Sequence, residues 1–424
     1  MNSTERRTLG QLLDRVAGGG TPDRGNPDYW DGDIPWASVK DFRDGIHELL
    51  RTQERITQSG LKASAARIIE PGIPLLCTRM AVGRVARAPF PVAINQDLKA
   101  LYPIDGVDSQ YLVLAIESLR PQIEAFSIGS TVLGISLDQL RSFSVFLPDW
   151  REQATIVVIL SAIDKAIEQT EAIIAKQQRI KTGLMQDLLT RGIDEHGNIR
   201  SEATHAFKDS PLGRIPAEWA VESVGVNLAK PPKNGYSPQE SDAWTGTMML
   251  GLGCLTPNGF RPIQLKYAPP TQSQVEKALL SEGDFLISRS NTRDLVGLVG
   301  IYRDIGEPCI YPDLMVRLAF NDDVDTHFME HVFRSEKIRY QLQSAATGTS
   351  GSMVKINAAI IKSILFQKPG HDEQLRILRV IEKHQQSLNE WREQLSKSSA
   401  LKRALMQDLL TGKVRVTPLL EAGA

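Results

Sequence analysis

The chain has 424 residues, of which 42% are hydrophobic and 23% are charged, a composition typical of a globular protein with two or three domains. Its formal net charge is −1, which excludes a uniformly basic surface, so any nucleic-acid site must be a local patch. No apolar run approaches the roughly 20 residues that span a bilayer, and the three scattered cysteines form no C-x-x-C pair, so we expect a protein of the reducing cytoplasm.

The segment 1–148 is predicted to fold as a compact α+β domain. Short β-rich runs broken by Gly and Pro, such as residues 73–78 (IPLLCT), come first. A helical pattern follows at 109–126, and Asp108 stands at its N-cap position. We interpret the segment as strands and helices joined by extended loops.

A long helix is predicted at 149–192. Its apolar residues, from Ile156 to Leu188, fall mostly at spacings of three and four, which is the stripe of a long amphipathic or coiled-coil helix. The stripe contains no Pro, and Gly192 stands just past it, as helix-ending glycines do. The polar, turn-rich segment 193–216 is predicted to be a linker.

The remainder of the chain repeats this order. Residues 284–290 (DFLISRS) form a β-rich run, and the helical pattern at 326–344 begins after Asp325, which we interpret as an N-cap like Asp108. A second long apolar stripe then leads to Gly412.

One heptapeptide, LMQDLLT, ends both long helices. It occurs at 184–190 and again, 221 positions later, at 405–411. At the same offset Glu152 falls on Glu373, so we infer a tandem duplication. The predicted boundaries are 1–148, first domain; 149–192, central helix; 193–216, linker; 217–369, second domain; 370–412, distal helix; and 413–424, tail. The two helices could pair within the chain, which the duplication favours, or form a dimerisation coiled coil.

Several phrases resemble the specificity subunit of type I restriction–modification systems. Residues 18–42 (GGGTPDRGNPDYWDGDIPWASVKDF) are similar to the opening of target-recognition domains in that family, and the start of the long helix at Glu152 is similar to its central spacer. IPAEW at 215–219 resembles the lead-in to a second recognition domain. The resemblance covers essentially the whole chain, and the order of the phrases is more specific than any one of them.

This resemblance implies a fold and a function. Each of two α+β target-recognition domains would read one half of a bipartite site in double-stranded DNA. The two long helices would pack antiparallel, relate the domains by a pseudo-twofold axis, set the gap between half-sites and dock methyltransferase subunits, two being expected. Those subunits would carry S-adenosylmethionine and methylate adenine, and a motor and nuclease subunit would use ATP and Mg²⁺. The chain itself would hold no cofactor, catalytic residue or metal.

Two alternatives stay open at this point. One is a self-contained DNA methyltransferase or nuclease of a fused restriction system, against which the lack of a phosphate loop and of a convincing glycine-rich cofactor loop weighs. The other is a coiled-coil scaffold without a DNA function. Residues 26–29 (NPDY) resemble a methyltransferase base-gripping loop, and residues 327–331 (HFMEH) fit a zinc-protease pattern. The duplicate of the latter reads QYLVL at 110–114, so we interpret both motifs as parts of the recognition domains.

DNA reading requires Arg or Lys for guanine, Asn or Gln for adenine, and free hydroxyl and backbone N–H groups for phosphates. Loops with these groups recur at matching points of both halves, although a solvated turn is the alternative for each residue. The predicted DNA-binding residues are Gly19, Thr21, Lys40, Arg79, Arg84, Asn95, Gln96, Ser130 and Thr131 in the first domain, and Lys233, Tyr236, Arg289, Asn291, Arg293, Thr349, Ser350 and Lys355 in the second.

Overall fold

The computed structural model describes residues 6–126, 134–270, 273–348 and 353–418. The chain divides into two compact units: unit 1 comprises residues 1–173 and 391–424, and unit 2 comprises residues 174–390. Each long helix therefore contributes one part to each unit. Over the described ranges, no helix is both long enough and apolar enough to cross a membrane.

Unit 1 contains two four-stranded sheets. Its strands are β1 Arg6–Thr8, β2 Leu13–Gly18, β3 Trp30–Ala37, β4 Glu54–Ile56, β5 Arg67–Ile69, β6 Pro74–Cys77, β7 Val85–Arg87, β8 Val92–Ile94, β9 Leu98–Pro103 and β10 Ser144–Phe146. Its helices are α1 Gln58–Lys62, α2 Ser109–Ala125, α3 Leu137–Ser142, the first part of α4 Trp150–Thr190 and, from Trp391 on, the last part of the second long helix. The sheet orders are β2-β9-β6-β7 and β4-β3-β8-β5, and β1 pairs with β10.

The sheet β2-β9-β6-β7 lies between two apolar cores, because successive residues of a strand point to opposite faces. Leu76 of β6 and Leu101 of β9 pack with α2 and α4. Leu75 and Ala100, their neighbours along the same strands, pack on the other face with β8. A sheet covered on both faces accounts for the uninterrupted burial of β6.

Unit 2 has a similar architecture, but its second main sheet has three strands instead of four. Its strands are β11 Phe207–Lys208, β12 Ile215–Pro216, β13 Ala220–Ser223, β14 Leu228–Asn234, β15 Met248–Leu250, β16 Leu255–Thr256, β17 Gly259–Phe260, β18 Leu265–Tyr267, β19 Phe285–Ser288, β20 Ser290–Asn291, β21 Val299–Ile301, β22 Cys309–Ile310, β23 Met315–Phe320, β24 Val354–Lys355 and β25 Leu365–Lys368. Its helices are the last part of α4, α5 Ser273–Lys277, α6 Thr326–Arg334, α7 Glu336–Ala345, α8 Ala358–Ser363 and the first part of α9 His371–Leu409. Its main sheets are β14-β23-β19-β21 and β18-β15-β22.

The α+β fold with an internal duplication is confirmed. The antiparallel sheet β14-β23-β19-β21 of unit 2 has the same order of elements along the chain as β2-β9-β6-β7 of unit 1, and β13 pairs with β25 as β1 pairs with β10. Asp108 and Asp325 cap the helices that follow them, each accepting two backbone N–H groups, as the sequence predicted.

The helical pattern at 326–344 does not form one helix. The backbone of Ser335 is extended, with φ −66° and ψ 149°, and separates α6 from α7. The hydroxyl of Ser335 donates to the carbonyl of Val332 at 2.6 Å, and such local bonds compete with helix continuation. The predicted helical pattern therefore forms two helices in this half, whereas α2 is continuous.

The long helices pair within the chain, and the contacts in each unit fit an antiparallel arrangement. In unit 1 Lys402 of α9 forms an ion pair with Asp164 of α4, with 2.6 Å between Nζ and Oδ1. In unit 2 Lys181 of α4 donates to Gln385 of α9. Moving 17 residues forward along α4 thus moves the contact 17 residues back along α9. The observed bounds of α4 and α9 lie inside the predicted ranges 149–192 and 370–412.

A glycine with a left-handed backbone follows each long helix within three residues of its end. Gly192 has φ +65° and Gly412 has φ +75°, as the helix-ending positions predicted from the sequence require. A Cβ on Gly192 would lie 2.1 Å from the carboxylate of Glu373, and one on Gly412 would lie 2.7 Å from the ring of Phe146. Both positions therefore exclude a side chain through close packing as well as through backbone conformation.

Candidate nucleic-acid interface

Three loops of unit 1 meet at one end of the sheet β2-β9-β6-β7. Strands β2 and β6 end where β9 begins, since Gly18 and Cys77 pair with Lys99 and Leu98. The loop after β2 contacts the β8–β9 turn through Thr21, whose hydroxyl donates to Oε1 of Gln96 at 2.6 Å. The antiparallel sheet thus brings together chain segments that are some 75 residues apart in sequence.

The loop between β6 and β7 joins this group. The N–H and the hydroxyl of Thr78 both donate to the carbonyl of Asp97 in the β8–β9 turn, at 2.8 and 3.0 Å. On its other side the loop meets the segment before α3, where Ile135 N–H donates to Thr78 O at 3.0 Å and Arg79 forms a β-bridge with Gly134.

Positive charge gathers at the same place. Arg79 is exposed, and no carboxylate among the described residues forms an ion pair with it. Lys99 donates to the carbonyl of Gln96 at 2.9 Å. Burial and the charge of Arg79 lower the pKa of Lys99, more than Asp97 raises it. We call Thr21, Arg79, Gln96 and Lys99 the first polar surface.

Sequence reasoning named three of these four residues and missed Lys99. The available signal was its position in the phrase NQDLK, three residues after Gln96. A lysine on a strand would ordinarily be taken for a solvated position, and only the pairing of β9 with β2 shows that Lys99 stands beside Gly18.

Two predicted residues of the first domain have their side-chain groups engaged within the domain. Arg84 donates two hydrogen bonds to the carboxylate of Asp44, at 3.0 and 3.1 Å, and one to the carbonyl of Phe42 at 3.0 Å. Asn95 is 5% exposed and bonds through its amide to Asp97. Their polar groups are accounted for by folding.

Gly19 and Lys40 are two further predicted residues of the first domain. A Cβ on Gly19 would stand 1.9 Å from the carbonyl oxygen of Ile94, so close packing on β8 is enough to require glycine there. Lys40 is exposed in the short 3-10 turn Val39–Asp41. No described contact connects its side chain with the first polar surface.

Unit 2 has an equivalent pair at the same point of its sheet. The phrase NGYSP at 234–238 takes the place of GGGTP at 18–22. Ser237 donates its hydroxyl to the carboxylate of Asp313 and accepts the Asp313 N–H at 3.0 Å. A Cβ on Gly235 would lie 2.1 Å from the carbonyl of Tyr311, which matches the packing of Gly19. Sequence reasoning missed both Ser237 and Asp313, although it named the adjacent Tyr236, whose N–H donates to Tyr311 O at 2.9 Å.

The loop after β19 pairs with the segment before α8. Ser290 pairs with Lys355 and Asn291 with Val354 as strands β20 and β24. The backbone of Arg289 forms hydrogen bonds with two segments. Its N–H donates to Leu314 O at 2.9 Å, and its carbonyl accepts from the N–H of Ile356 at 2.8 Å. The residues of this unit that meet here are called the second polar surface: Ser237, Arg289, Asn291, Asp313 and Lys355.

The remaining predicted residues fall elsewhere. Lys233 donates to the carbonyl of Lys277, and Arg293 donates to the carbonyl of Gln343 at 2.8 Å, so each has an intramolecular partner. The four hydroxyl residues predicted in the flanking loops lie outside the described residues: Ser130, Thr131, Thr349 and Ser350.

The two motifs that resemble catalytic patterns lie in a 3-10 turn and in α6. Asn26 accepts the N–H of Asp28 at 3.0 Å and begins the 3-10 turn Pro27–Tyr29. His331 is half-buried on α6, and its desolvation lowers its pKa to about 3. Among the described residues no group of three His, Cys, Asp or Glu side chains could hold a metal ion.

Each unit also contains a cavity beside its copy of LMQDLLT. The cavity of unit 2 has a volume of about 390 Å³ and is lined by Met185, Gln186 and Leu189 of α4 together with residues of α6 and α7. The cavity of unit 1 has a volume of about 670 Å³ and is lined by Met406 and Gln407 of α9 and by Leu410 just after that helix, together with residues of α2. The lining residues of the long helices correspond at the offset of the repeat.

Comparison with protein families and curated proteins gives consistent results. A family model described as the type I restriction modification DNA specificity domain matches residues 1–177. The chain is 30% identical over 230 residues to the type I restriction enzyme MjaIX specificity subunit of Methanocaldococcus jannaschii, an alignment that covers 54% of this chain and about half, 52%, of that protein. It is 23% identical over 408 residues to the MjaVIII specificity subunit of the same organism, covering 92% and 91% of the two chains. The Escherichia coli EcoR124I/EcoR124II specificity subunit is 30% identical over 167 residues, which are 38% of this chain and 41% of that one.

Solved structures share the fold at low identity. The S subunit of a type I restriction–modification system from M. genitalium superposes with a TM-score of 0.52 at 15% identity, covering 96% of this chain and 95% of that chain. The HsdS subunit from Thermoanaerobacter tengcongensis gives a TM-score of 0.53 at 15% identity, covering 97% and 98%. A chain solved in work on complex assembly and conformational transition of the type I R-M system gives 0.61 at 15% identity, covering 96% and 97%.

Proposed function

We propose that the two α+β domains of this chain, which belongs to the specificity subunits of type I restriction–modification systems, each read one half of a bipartite site in double-stranded DNA. The observation that carries this proposal is the pair of polar surfaces. Each lies at the same end of the corresponding antiparallel sheet of its own unit, and the two surfaces differ in chemistry.

The difference is clearest at the equivalent pairs Thr21–Gln96 and Ser237–Asp313. A glutamine amide both donates and accepts, which suits adenine, whereas an aspartate carboxylate only accepts, which suits the amino group of cytosine. One scaffold with two sets of donors and acceptors is what an asymmetric site with two different halves requires.

The paired helices α4 and α9 are proposed to set the gap between the half-sites. A helix of about 40 residues is roughly 60 Å long, and half-sites on DNA are separated by multiples of about 34–36 Å. Linking two readers through a stiff element raises the effective concentration of the second once the first has bound.

Methyltransferase subunits are the proposed partners of the two cavities. Each cavity presents the same Met, Gln and Leu side chains from one copy of the repeated heptapeptide, so two copies of one partner could dock in the same way. In this proposal S-adenosylmethionine is held by the methyltransferase subunits, ATP and Mg²⁺ are held by a motor and nuclease subunit, and this chain contributes recognition without chemistry of its own. Adenine methylation is the proposed reaction.

Methylome sequencing of a strain that expresses this chain with its methyltransferase tests the proposal. We expect a single bipartite motif with a fixed gap. Gln96→Asp should change preference within one half of the motif only, and Asp313→Asn within the other half only, because each pair lies in a different domain. The two variants serve as matched controls for each other.

Two outcomes would overturn the proposal. One is sequence-specific methylation by the purified chain alone, together with saturable binding of S-adenosylmethionine in a titration, which would indicate a self-contained methyltransferase. The other is a motif that stays unchanged in both variants while binding to DNA persists.

A further inference from the structure

We propose that Met80 contacts the bases of the half-site read by the first domain and serves as a specificity residue beside Arg79. This inference rests on the proposed function of the two domains as DNA readers. Met80 was not among the residues that the sequence predicted for DNA binding.

The backbone at Met80 adopts a conformation that methionine rarely takes. Its φ is +61°, and the N–H of Ala81 donates across it to the carbonyl of Arg79 at 2.8 Å. A three-residue turn with positive φ at its centre is rare and strained, and glycine would adopt it without steric cost. A side chain is nevertheless present at this position.

The surrounding loop holds this conformation in place. Cys77 N–H donates to Arg84 O at 2.8 Å and Gly83 N–H donates to Cys77 O at 3.0 Å, which closes the loop between β6 and β7. The guanidinium of Arg84 is anchored on Asp44. Strain persists only where the surrounding structure over-determines it, and such residues concentrate at functional sites.

The loop conformation exposes the apolar side chain of Met80 to solvent beside a positively charged residue. Met80 is 64% exposed, next to the exposed Arg79 and within the loop that joins the first polar surface. Burial in the core therefore does not explain the methionine. The Met80 side chain can lose its contact with water only if another molecule binds over it.

DNA is the partner whose chemistry fits both Arg79 and Met80. Arginine reads guanine or binds phosphate, and apolar side chains contact the thymine methyl group or, as methionine does in several DNA-bending proteins, insert between base steps. Methionine is also the apolar side chain most able to adapt its shape to a neighbour.

The second polar surface shows a similar arrangement. Met353, 50% exposed, precedes Val354, which pairs with Asn291. Among the methionines within the described ranges, Met80 and Met353 alone are classed as exposed, and each lies at one of the two surfaces.

The test uses the chain in complex with its methyltransferase subunits and a fluorescent duplex that carries the motif identified by methylome sequencing. Affinity for this duplex and for one with a scrambled first half-site is measured by anisotropy at fixed salt, together with the melting temperature of each complex. The variants are Met80→Gly, which relieves the strain, Met80→Leu, which keeps an apolar side chain, and Leu50→Ala as control. Leu50 is 73% exposed and follows Leu49, which bonds to Arg87 at the end of the β6–β7 hairpin opposite Met80.

We expect Met80→Gly to melt no lower than wild type and to bind the cognate duplex roughly tenfold more weakly, since most of the apolar burial of one side chain is lost. Its affinity for the scrambled duplex should not change, Met80→Leu should restore most of the cognate affinity, and Leu50→Ala should behave as wild type.

Met80→Gly that binds the cognate duplex as wild type does would overturn the inference and leave the proposed function standing. Equal weakening on both duplexes would overturn it as well, because the residue would then act without reading sequence. A wild-type complex that does not distinguish the two duplexes would instead count against the proposed function itself.

Discussion

Unit 1 and unit 2 use one glutamate in the same way but obtain its partners from different parts of the chain. Glu152 near the start of α4 and Glu373 near the start of α9 occupy equivalent positions of the repeat, and both are buried. Glu373 accepts from Ile193 N–H and Trp219 Nε1, each at 3.0 Å, and forms an ion pair with Arg200; all three lie in the segment after α4. Glu152 accepts from Arg415 Nε at 3.1 Å and Thr417 Oγ1 at 2.7 Å, both in the tail after α9.

The comparison shows how the segment after each long helix completes one of the two units, and we call this contact the closure of that unit. In each unit the segment that follows one long helix returns to the start of the other long helix and satisfies its glutamate. The linker does this for unit 2 and the tail does it for unit 1, so the tail is a structural part of unit 1. The two closures differ in burial: the side chain of Arg200 is 5% exposed and that of Arg415 is 37% exposed.

The largest effect is expected from breaking the buried closure of unit 2. Glu373→Ala leaves Arg200 buried without its main partner, which should lower the free energy of unfolding by about 3–5 kcal/mol. Urea denaturation measures this loss. The control is Glu382→Ala, which changes an exposed glutamate of the same helix and should alter the free energy of unfolding by no more than about 0.5 kcal/mol. Equal stability of the two variants would show that the network around Glu373 contributes nothing.

A smaller and separable effect is expected at the two cavities. Met185→Arg and Met406→Arg each place a charge where an apolar partner surface would bind, so each should weaken one methyltransferase site more than tenfold. Native mass spectrometry should find two methyltransferase subunits on the wild type, one on each single variant and none on the double variant.

Val158→Arg is the control for this series, because Val158 is 67% exposed on α4 and lines neither cavity. If a single variant loses both subunits, or if the double variant keeps both, the cavities are not the equivalent docking places that the comparison of the units suggests.

The smallest effect is expected from breaking the tail closure of unit 1. Burial would raise the pKa of Glu152, but hydrogen bonds from Arg415 and Thr417 outweigh it, and the pKa is lowered below its usual value of 4.5. Arg415→Ala should cost about 1–2 kcal/mol at pH 7, less than the change at Glu373, because water screens a partly exposed guanidinium.

The pH dependence of this variant follows from the direction of the shift. A carboxylate with a lowered pKa stabilises the folded chain above its unfolded pKa, and this contribution is lost as the pH falls through the folded pKa. The difference between wild type and Arg415→Ala should therefore shrink when urea denaturation is repeated below pH 4.5. An unchanged difference would mean that the ion pair with Glu152 is not its cause.

The two polar surfaces show what the sequence indicates about a side chain and what it leaves open. Arg79 and Arg84 belong to one phrase and were predicted together, yet Arg79 is exposed and Arg84 is held by Asp44. Asn95 and Gln96 are adjacent, yet the first is buried and the second exposed. Residue type indicates what a side chain can bind, but its direction depends on strand pairing with segments far away in the chain.

The sequence by itself determined the duplication, the two long helices with their closing glycines, and the N-caps Asp108 and Asp325, because these depend on periodicity and on local hydrogen bonds. Only the tertiary structure decided that Lys99 stands near Arg79, that Met80 is exposed with a left-handed backbone, that Ser237 pairs with Asp313, and that the tail completes unit 1. Those contacts join residues far apart in the chain or depend on the backbone conformation that such contacts impose. Their geometry arises when the sheets and helices pack, and no local pattern encodes it.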